Sequence, residues 1–270
     1  MRGKLKKLFA AVLAVLLALS FSGCSELTGL DAQALMSPPR TTADREAIYA
    51  LMGGGVGDVT LVYPKCGDYR SAIISRDLDG CGTSEVVSFC ANGDAAGTRL
   101  EFFKKNTDGV WSSMARFTSA ATQVDKVFFG DLTGDGMDEI IVGWGDPLTA
   151  TASVSVYYVD GDTIREFSMT TVSYSEMLLT DFDSDNIKEL FVLQAAQTSG
   201  EEIMALGGLY RFDGDQPYVS KTVPLDAAVT RYTSVSFSQV NSWRRAAVLD
   251  GVKADGRMLT QVIGLSLIHI

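Results

Sequence analysis

An acidic loop of nine residues occurs three times in this chain, each time between two apolar segments. The copies begin at residues 77, 131 and 181, so the period is 50 to 54 residues. A unit repeated at such a period cannot bury its apolar faces alone and must pack against neighbouring units. The chain is therefore expected to fold as a row of similar units.

The repeated loop carries oxygen-bearing residues at alternate positions. Position 1 is always Asp and position 9 is always Glu, while positions 4 and 6 hold Gly, Ser or Asn, which allow a tight bend. Side chains at positions 1, 3, 5 and 9 with a backbone carbonyl at position 7 form a set of hard oxygen ligands suited to Ca²⁺. The predicted ligands are Asp77, Asp79, Thr83 and Glu85; Asp131, Thr133, Asp135, Met137 and Glu139; and Asp181, Asp183, Asp185, Ile187 and Glu189.

The three loops are expected to differ in their affinity for calcium. The third has an acid at all four side-chain positions, the second has Thr133 at position 3, and the first has Cys81 at position 5, where a thiol is a poor calcium ligand. We expect two to three Ca²⁺ sites, with the strongest in the third loop. The alternative is that the loops are solvated acidic hairpins without metal.

Each unit contains four apolar or alternating segments, which predict four β-strands. An Asp-Gly hairpin turn follows each loop by about 30 residues, so the turns share the period of the loops. A fourth unit from residue 232 lacks the acids and has three strands in view. The predicted strands are 69–75, 85–90, 98–104 and 110–117; 126–130, 139–144, 153–159 and 163–168; 175–179, 189–194, 203–212 and 217–223; and 232–237, 246–249 and 258–264.

The second unit, from Val127 to Gly143 with Phe129-Gly130 before its loop, resembles the calcium loops of FG-GAP or VCBS-type propeller repeats. The resemblance covers residues 69–251 and implies a β-propeller. The expected fold is all-β, with about four four-stranded antiparallel blades in residues 56–264 forming part of a ring. A short helix is expected at 42–55 and a lone strand at 59–63. EF-hands and dockerins are disfavoured because a strand sequence follows each loop.

The N-terminal segment is organised like an export signal. Residues 1–7 contain four basic residues, an apolar run follows at 8–19, and Ser22-Gly23 precedes Cys24. The junction resembles the lipobox of bacterial lipoproteins, although Phe21 stands where Leu is usual. The resemblance implies a signal peptide at 1–23, lipidation of Cys24, a tether at 24–41 and a location on the extracytoplasmic face of the cell membrane. A plain secretory signal or an uncleaved anchor is the alternative.

The charge of the mature chain limits its partners. Removal of four cations from a chain of net charge −10 gives −14. Nucleic acids need basic patches on their partners, so nucleic-acid binding is disfavoured. The expected partners are the membrane, through the lipid, and an extracellular protein or glycan.

Three cysteines remain if Cys24 carries the lipid. Cys66, Cys81 and Cys90 are an odd set, so at most one disulfide can form within the chain. A bond between Cys66 and Cys90 and free thiols both remain open, and the spacing fits no zinc site.

The last six residues, 265–270, resemble the conceptual translation of a transposase adaptor used in shotgun sequencing. The alternative is an ordinary apolar strand. If they are foreign, the natural protein is longer and His269, the only histidine, is not native. Without it, Ser-His-Asp and Cys-His nucleophile systems and His-based zinc sites lack an essential residue.

Three functions are compatible with these features, and the third, sensing at the cell envelope through an extracellular partner, is not separated from the first by the sequence. The first is a lipid-anchored calcium-binding propeller with a binding or scaffolding role at the cell surface. The second is a polysaccharide lyase or glycosidase on a similar propeller, with active residues beyond this sequence. No catalytic constellation is visible, since Asp138 beside Glu139 is explained as an exposed neighbour of one ligand. The first function is therefore preferred.

Overall fold

One short helix and sixteen β-strands make up the described part of the chain. The computed structural model describes residues 43–264 except 56, 94, 147–150, 169–171, 200–201, 215 and 242–243. The helix, α1, covers Ala43–Leu51 and is followed by Gly53 with a φ of 99°. Glycine adopts this left-handed conformation without steric cost, which suits the end of a helix. Within these residues, no helix is both long and apolar enough to span a membrane.

The first two sheets contain nine strands, each bonded to its neighbours in an antiparallel ladder. In the second sheet, Val172–Ser173 forms a short fifth strand that pairs with residues 153 and 154 of the sheet's third strand. The first sheet comprises β1 Ile73–Arg76, β2 Glu85–Ala91, β3 Thr98–Lys105 and β4 Trp111–Ser119; the second comprises β5 Gln123–Gly130, β6 Glu139–Asp146, β7 Thr151–Asp160, β8 Thr163–Glu166 and β9 Val172–Ser173.

The third and fourth sheets continue the same antiparallel order. Their strands are β10 Glu176–Thr180, β11 Glu189–Ser199, β12 Glu202–Asp213 and β13 Gln216–Pro224 in the third, and β14 Val229–Asn241, β15 Arg244–Lys253 and β16 Met258–Gly264 in the fourth. Short hairpins connect many of the strands. Between β7 and β8, Asp160 pairs with Thr163, and Gly161 in the turn has a φ of 61°. A two-residue turn with glycine at its first central position matches the right-handed twist of its strands.

The sheets stack face to face in chain order. Val87 and Phe102 of the first sheet pack with Ile140 and Tyr157 of the second in one buried cluster. A second cluster joins the second sheet to the third, and another joins the third to the fourth. Each interface therefore lies between sheets that are consecutive in sequence.

Side chains that alternate in direction along the strands provide apolar contacts on both faces of the inner sheets. In β6, Ile140 and Val142 enter the first interface, whereas Ile141 enters the second. In β11, Leu190 contributes to the second interface and Phe191 to the third. Successive side chains of a strand point to opposite faces, so an apolar run buries both. This explains why the second strands are nearly continuous apolar sequences.

The helix covers the free face of the first sheet. Ile48 and Met52 pack with Val86, Cys90 and Phe103, all of which are buried. At the other end of the row, the described part of the fourth sheet has three strands, and Met258 and Val262 of β16 are exposed.

The predicted all-β class and the antiparallel units are confirmed, and every predicted segment within the repeats overlaps an observed strand. Within the described residues, no sheet closes on itself. Strand β9 was not predicted. The lone strand expected at 59–63 is reduced to a bridge between Leu61 and Cys90, which places it beside β2 of the first sheet.

Candidate metal centres

The three acidic loops occupy equivalent places in the first three sheets. They join β1 to β2, β5 to β6 and β10 to β11. Neighbouring loops are hydrogen-bonded, since the N–H of Asp138 donates to the carbonyl of Leu78 at 3.2 Å and that of Lys188 to the carbonyl of Asp131 at 2.8 Å. The loops thus form a continuous row along one edge of the stacked sheets.

Two side-chain hydrogen bonds recur in all three loops. The Glu at position 9 accepts a bond from the backbone N–H of position 2, at 2.9, 2.6 and 2.9 Å in the first, second and third loops. The Asp at position 1 accepts a bond from the N–H of position 6, at 2.8, 2.9 and 3.0 Å. Position 2 is buried each time, as Leu78, Leu132 and Phe182. These contacts draw both acids into the loop and fix its shape.

Positions 4 and 6 have left-handed backbone in every loop. Both are glycine in the first two loops, whereas the third has Ser184 with a φ of 69° and Asn186 with a φ of 70°. A residue with a side chain loses roughly 1–2 kcal/mol in this conformation. The third loop keeps the common shape despite this cost, so its other contacts must offset it.

The first loop has an unpaired oxygen facing its acids. Ligand atoms of Asp77, Asp79 and Cys81 lie within 4.8 Å of one another. Oδ1 of Asp77 is buried and has no hydrogen-bond partner. Burial, followed by the charges of Asp79 and Asp77, raises the pKa of Glu85. A buried lone acceptor among carboxylates fits a bound cation. Thr83 is exposed, and its predicted role uses only the backbone carbonyl.

The second loop contains four acids, three of them predicted ligands, and no basic residue. Burial, then the charges of Asp135 and Asp131, raises the pKa of Glu139 to about 7. Thr133 Oγ1 lies 3.5 Å from Glu139 Oε1, at the limit of a hydrogen bond, and Asp135 accepts a bond from the N–H of Met137 at 2.8 Å. Among the residues that the structure describes, none forms an ion pair with Asp131, Asp135 or Glu139. These carboxylate, hydroxyl and carbonyl oxygens are of the kind that Ca²⁺ takes, but the three acids do not form a group within 4.8 Å as acids of the third loop do.

The third loop already holds a positive charge. Ligand atoms of Asp181, Asp183 and Glu189 lie within 4.8 Å of one another. Arg211 of β12 binds both Asp183 and Glu189 through Nη2. Although burial acts to raise the pKa of Asp183, the contacts with Arg211 outweigh it and lower that pKa.

The remaining predicted ligands of the third loop lie at its outer side. Asp185 is exposed and accepts a bond from the N–H of Ile187 at 2.9 Å. Ile187 lies against the second loop, where a Cβ added to Gly134 would be 2.7 Å from Cδ1 of Ile187.

Sequence reasoning missed Arg211 as a partner of the third loop. The hairpin turn that starts at Asp213 does not reveal it, because that turn joins β12 to β13, whereas the place of Arg211 beside Glu189 depends on the ladder of β11 with β12, in which Leu190 pairs with Tyr210. In that register Arg211 faces Glu189 across the ladder. The pairs near the end of that ladder, such as Ser199 with Glu202, are shifted by one residue from this register, so the sequence carries no local signal for the contact.

Asp138 is expected from the sequence to be an exposed neighbour of Glu139, but in the structure it is half-buried. It forms an ion pair with Arg76 of the first sheet, and Nε of Arg76 donates to Asp138 Oδ2 at 2.6 Å. The guanidinium also lies over the ring of Phe129, 5.2 Å from its centroid. This contact links the first two sheets beside the loops.

The cysteines within the described residues are free thiols. Cys66 is half-buried, Cys81 is exposed and Cys90 is buried beside the helix. Cys66 Sγ lies 3.4 Å from a side-chain oxygen of Asp125. Burial is the main cause that raises the pKa of both Cys66 and Cys90. The predicted lipid site, Cys24, lies outside the described residues, as do the tether and the segment 265–270.

No protein-family model and no curated protein matches the chain. The fold and the loops themselves define its class, which is an all-β protein of consecutively stacked antiparallel sheets with a row of acidic loops along one edge.

Proposed function

We propose that this chain is a calcium-binding β-propeller protein with a binding or scaffolding role at the cell surface, held at the membrane by a lipid on Cys24. The observation that carries the proposal is the shared geometry of the three acidic loops. Three solvated turns would have no reason to repeat both inward hydrogen bonds and the left-handed backbone at positions 4 and 6.

The stacking of the sheets supports a propeller. Each unit is an antiparallel meander, and consecutive units pack face to face through apolar clusters. Propeller blades pack in this manner around an axis, typically 4 to 8 of them. The described sheets would form one arc of such a ring.

Calcium is proposed for the first and second loops. Asp77, Asp79, Glu85 and the carbonyl of Thr83 would hold one ion. The second ion would be held by Asp131, Thr133, Asp135, Glu139 and the carbonyl of Met137. Bound Ca²⁺ would supply positive charge to carboxylates that otherwise repel one another.

The chain's own residues would transmit that stabilisation to the fold. Glu139 ties the start of β6 to the backbone of Leu132, and Asp131 closes the turn between β5 and β6. The carbonyl of Asp131 also accepts the bond from Lys188 of the next loop. Fixing the acids of one loop therefore stabilises a hairpin and its contact with the neighbouring sheet.

Calcium titration with a matched variant tests the metal. We expect the full chain to bind calcium and its Tm to fall when the calcium is chelated. Asp131→Asn should bind one ion fewer, and chelation should lower its Tm much less. At a free concentration 100 times Kd, one site contributes about 2.7 kcal/mol to stability. Asp108→Asn changes an exposed acid in a hairpin turn outside the loops and is the control. An unchanged Tm after chelation of the wild-type chain would refute calcium as a structural ion.

Labelling with a radioactive fatty acid in a bacterial host tests the anchor. We expect the wild-type chain to incorporate label and to sediment with membranes. Cys24→Ala should lose both properties, whereas Cys66→Ala, which changes a half-buried thiol, should retain them. Label retained by Cys24→Ala would rule out this lipid site.

A further inference from the structure

The residue that faces the position-9 Glu across the ladder differs among the three loops. The pairs Val86 with Phe103, Ile140 with Tyr157 and Leu190 with Tyr210 set the register of the second and third strands. One step further towards the loop, these ladders bring together Glu85 and Lys104, Glu139 and Tyr158, and Glu189 and Arg211. The same structural position therefore holds a lysine, a tyrosine and an arginine.

Only one of these three residues forms an ion pair with its own loop. Lys104 pairs with Asp162 of the second sheet at 2.5 Å. Tyr158 packs on Phe167 with ring centroids 4.4 Å apart and carries no charge. Arg211 binds both Asp183 and Glu189.

Arg211 is held in a largely buried setting. Its side chain is 18% exposed, and those of Asp183 and Glu189 are 12% and 1% exposed. A guanidinium offers several N–H donors in a rigid plane, which allows it to bridge two carboxylates. Those two carboxylates are the acids expected at positions 3 and 9 of a calcium site. A divalent ion bound by the same oxygens would have to displace the guanidinium.

We propose that Arg211 takes the place of a metal ion in the third loop, so that this loop keeps its shape without calcium. Arg211 is thereby the residue that decides whether the third loop binds metal. The contrast with the first two loops rests on the calcium binding proposed above, whereas the role of Arg211 within its own loop does not.

Counting bound calcium in matched variants tests this inference. Equilibrium dialysis of the full chain should show two ions, and Asp135→Asn in the second loop should remove one. Asp185→Asn, at the same position of the third loop, should remove none. Arg211→Gln should add one ion, and Arg211→Gln with Asp185→Asn should lose it again. Lys104→Gln is the control at the equivalent position of the first sheet.

Thermal unfolding gives a second readout. With chelator present, Arg211→Gln should lower Tm by roughly 5–10 °C, because it leaves buried carboxylates without a cation. Calcium should restore most of that loss, since the ion would then bind the vacated acids. No restoration by calcium would overturn the proposal.

The outcomes separate this proposal from the proposed function. Loss of one ion in Asp185→Asn of the otherwise unchanged chain overturns the role of Arg211 and leaves calcium binding intact, and this test requires no change at Arg211. A wild-type chain that binds no calcium refutes the proposed function. In that case a single ion gained by Arg211→Gln still supports the inference, and no gain overturns it as well.

Discussion

The second and third loops have the same backbone shape but a different balance of charge. Both contain the inward bonds of positions 1 and 9, and their nine residues have the same pattern of burial. Tyr158 faces Glu139 in one sheet, whereas Arg211 binds Glu189 in the other. The comparison shows that a loop's acids do not by themselves set the charge around them. The strand opposite them also contributes.

Removal of the position-9 Glu should have the largest effect and should separate the two loops. In metal-free protein, Glu189→Ala leaves Arg211 buried with only one carboxylate partner and should cost roughly 3–5 kcal/mol. Glu139→Ala leaves the N–H of Leu132 without its acceptor and should cost about 1–3 kcal/mol. Denaturant unfolding with chelator present measures both. Equal losses would contradict the proposed difference between the loops.

The pH dependence of the metal-free protein should reflect Glu139. Its pKa is about 7 in the folded chain against an ordinary value of 4.5, so the folded state binds more protons between these values. The contribution of Glu139 to stability should therefore be highest below pH 4.5. It should fall by up to about 3 kcal/mol as pH rises through 7.

The same measurement compares the two loops, since burial also raises the pKa of Glu189 to about 7. In chelator-treated protein, Glu139→Gln should remove the second loop's contribution to the slope of the unfolding free energy against pH. Saturating calcium should reverse the trend for the wild type, because the metal requires the ionised carboxylate. An unchanged slope in Glu139→Gln would exclude this carboxyl as its source.

Exchanging the residues at position 4 of the second and third loops should have the smallest effects on stability, and the two effects should have opposite signs. Ser184→Gly should stabilise the third loop by about 0.5–1 kcal/mol by relieving its left-handed backbone. Gly134→Ser should destabilise the second loop by more than that, because the new Cβ would be 2.7 Å from Cδ1 of Ile187. Thermal unfolding of the two variants measures the difference. A destabilising Ser184→Gly would show that the serine contributes contacts that exceed its strain.

The strands and loops were predictable because their signals are local. Alternating and apolar runs predicted the strands of the four sheets, and the repeated turns predicted the antiparallel order. The acids at positions 1 and 9 were singled out by spacing, and in each loop both accept hydrogen bonds from the loop's own backbone. Such features depend on residues a few positions apart, so the sequence expresses them directly.

The contacts between units were not predictable in the same way. The pair Arg76 and Asp138 joins residues 62 positions apart, and Lys126 pairs with Glu176 across 50 positions. Their geometry depends on how one sheet is placed on the next. The extra strand β9 and the bridge of Leu61 depend likewise on the available edges of a sheet.

The sequence by itself determined the repeat, the all-β class and the positions of the acidic loops, because periodicity and turn chemistry act within a few residues. The tertiary structure alone decided how the loops align in one row and which charges face their acids. Arg211 lies 22 residues from Glu189 in the chain, and only the pairing of β11 with β12 brings the two together. A difference in charge balance between loops of one backbone shape is therefore a property of the sheet around them.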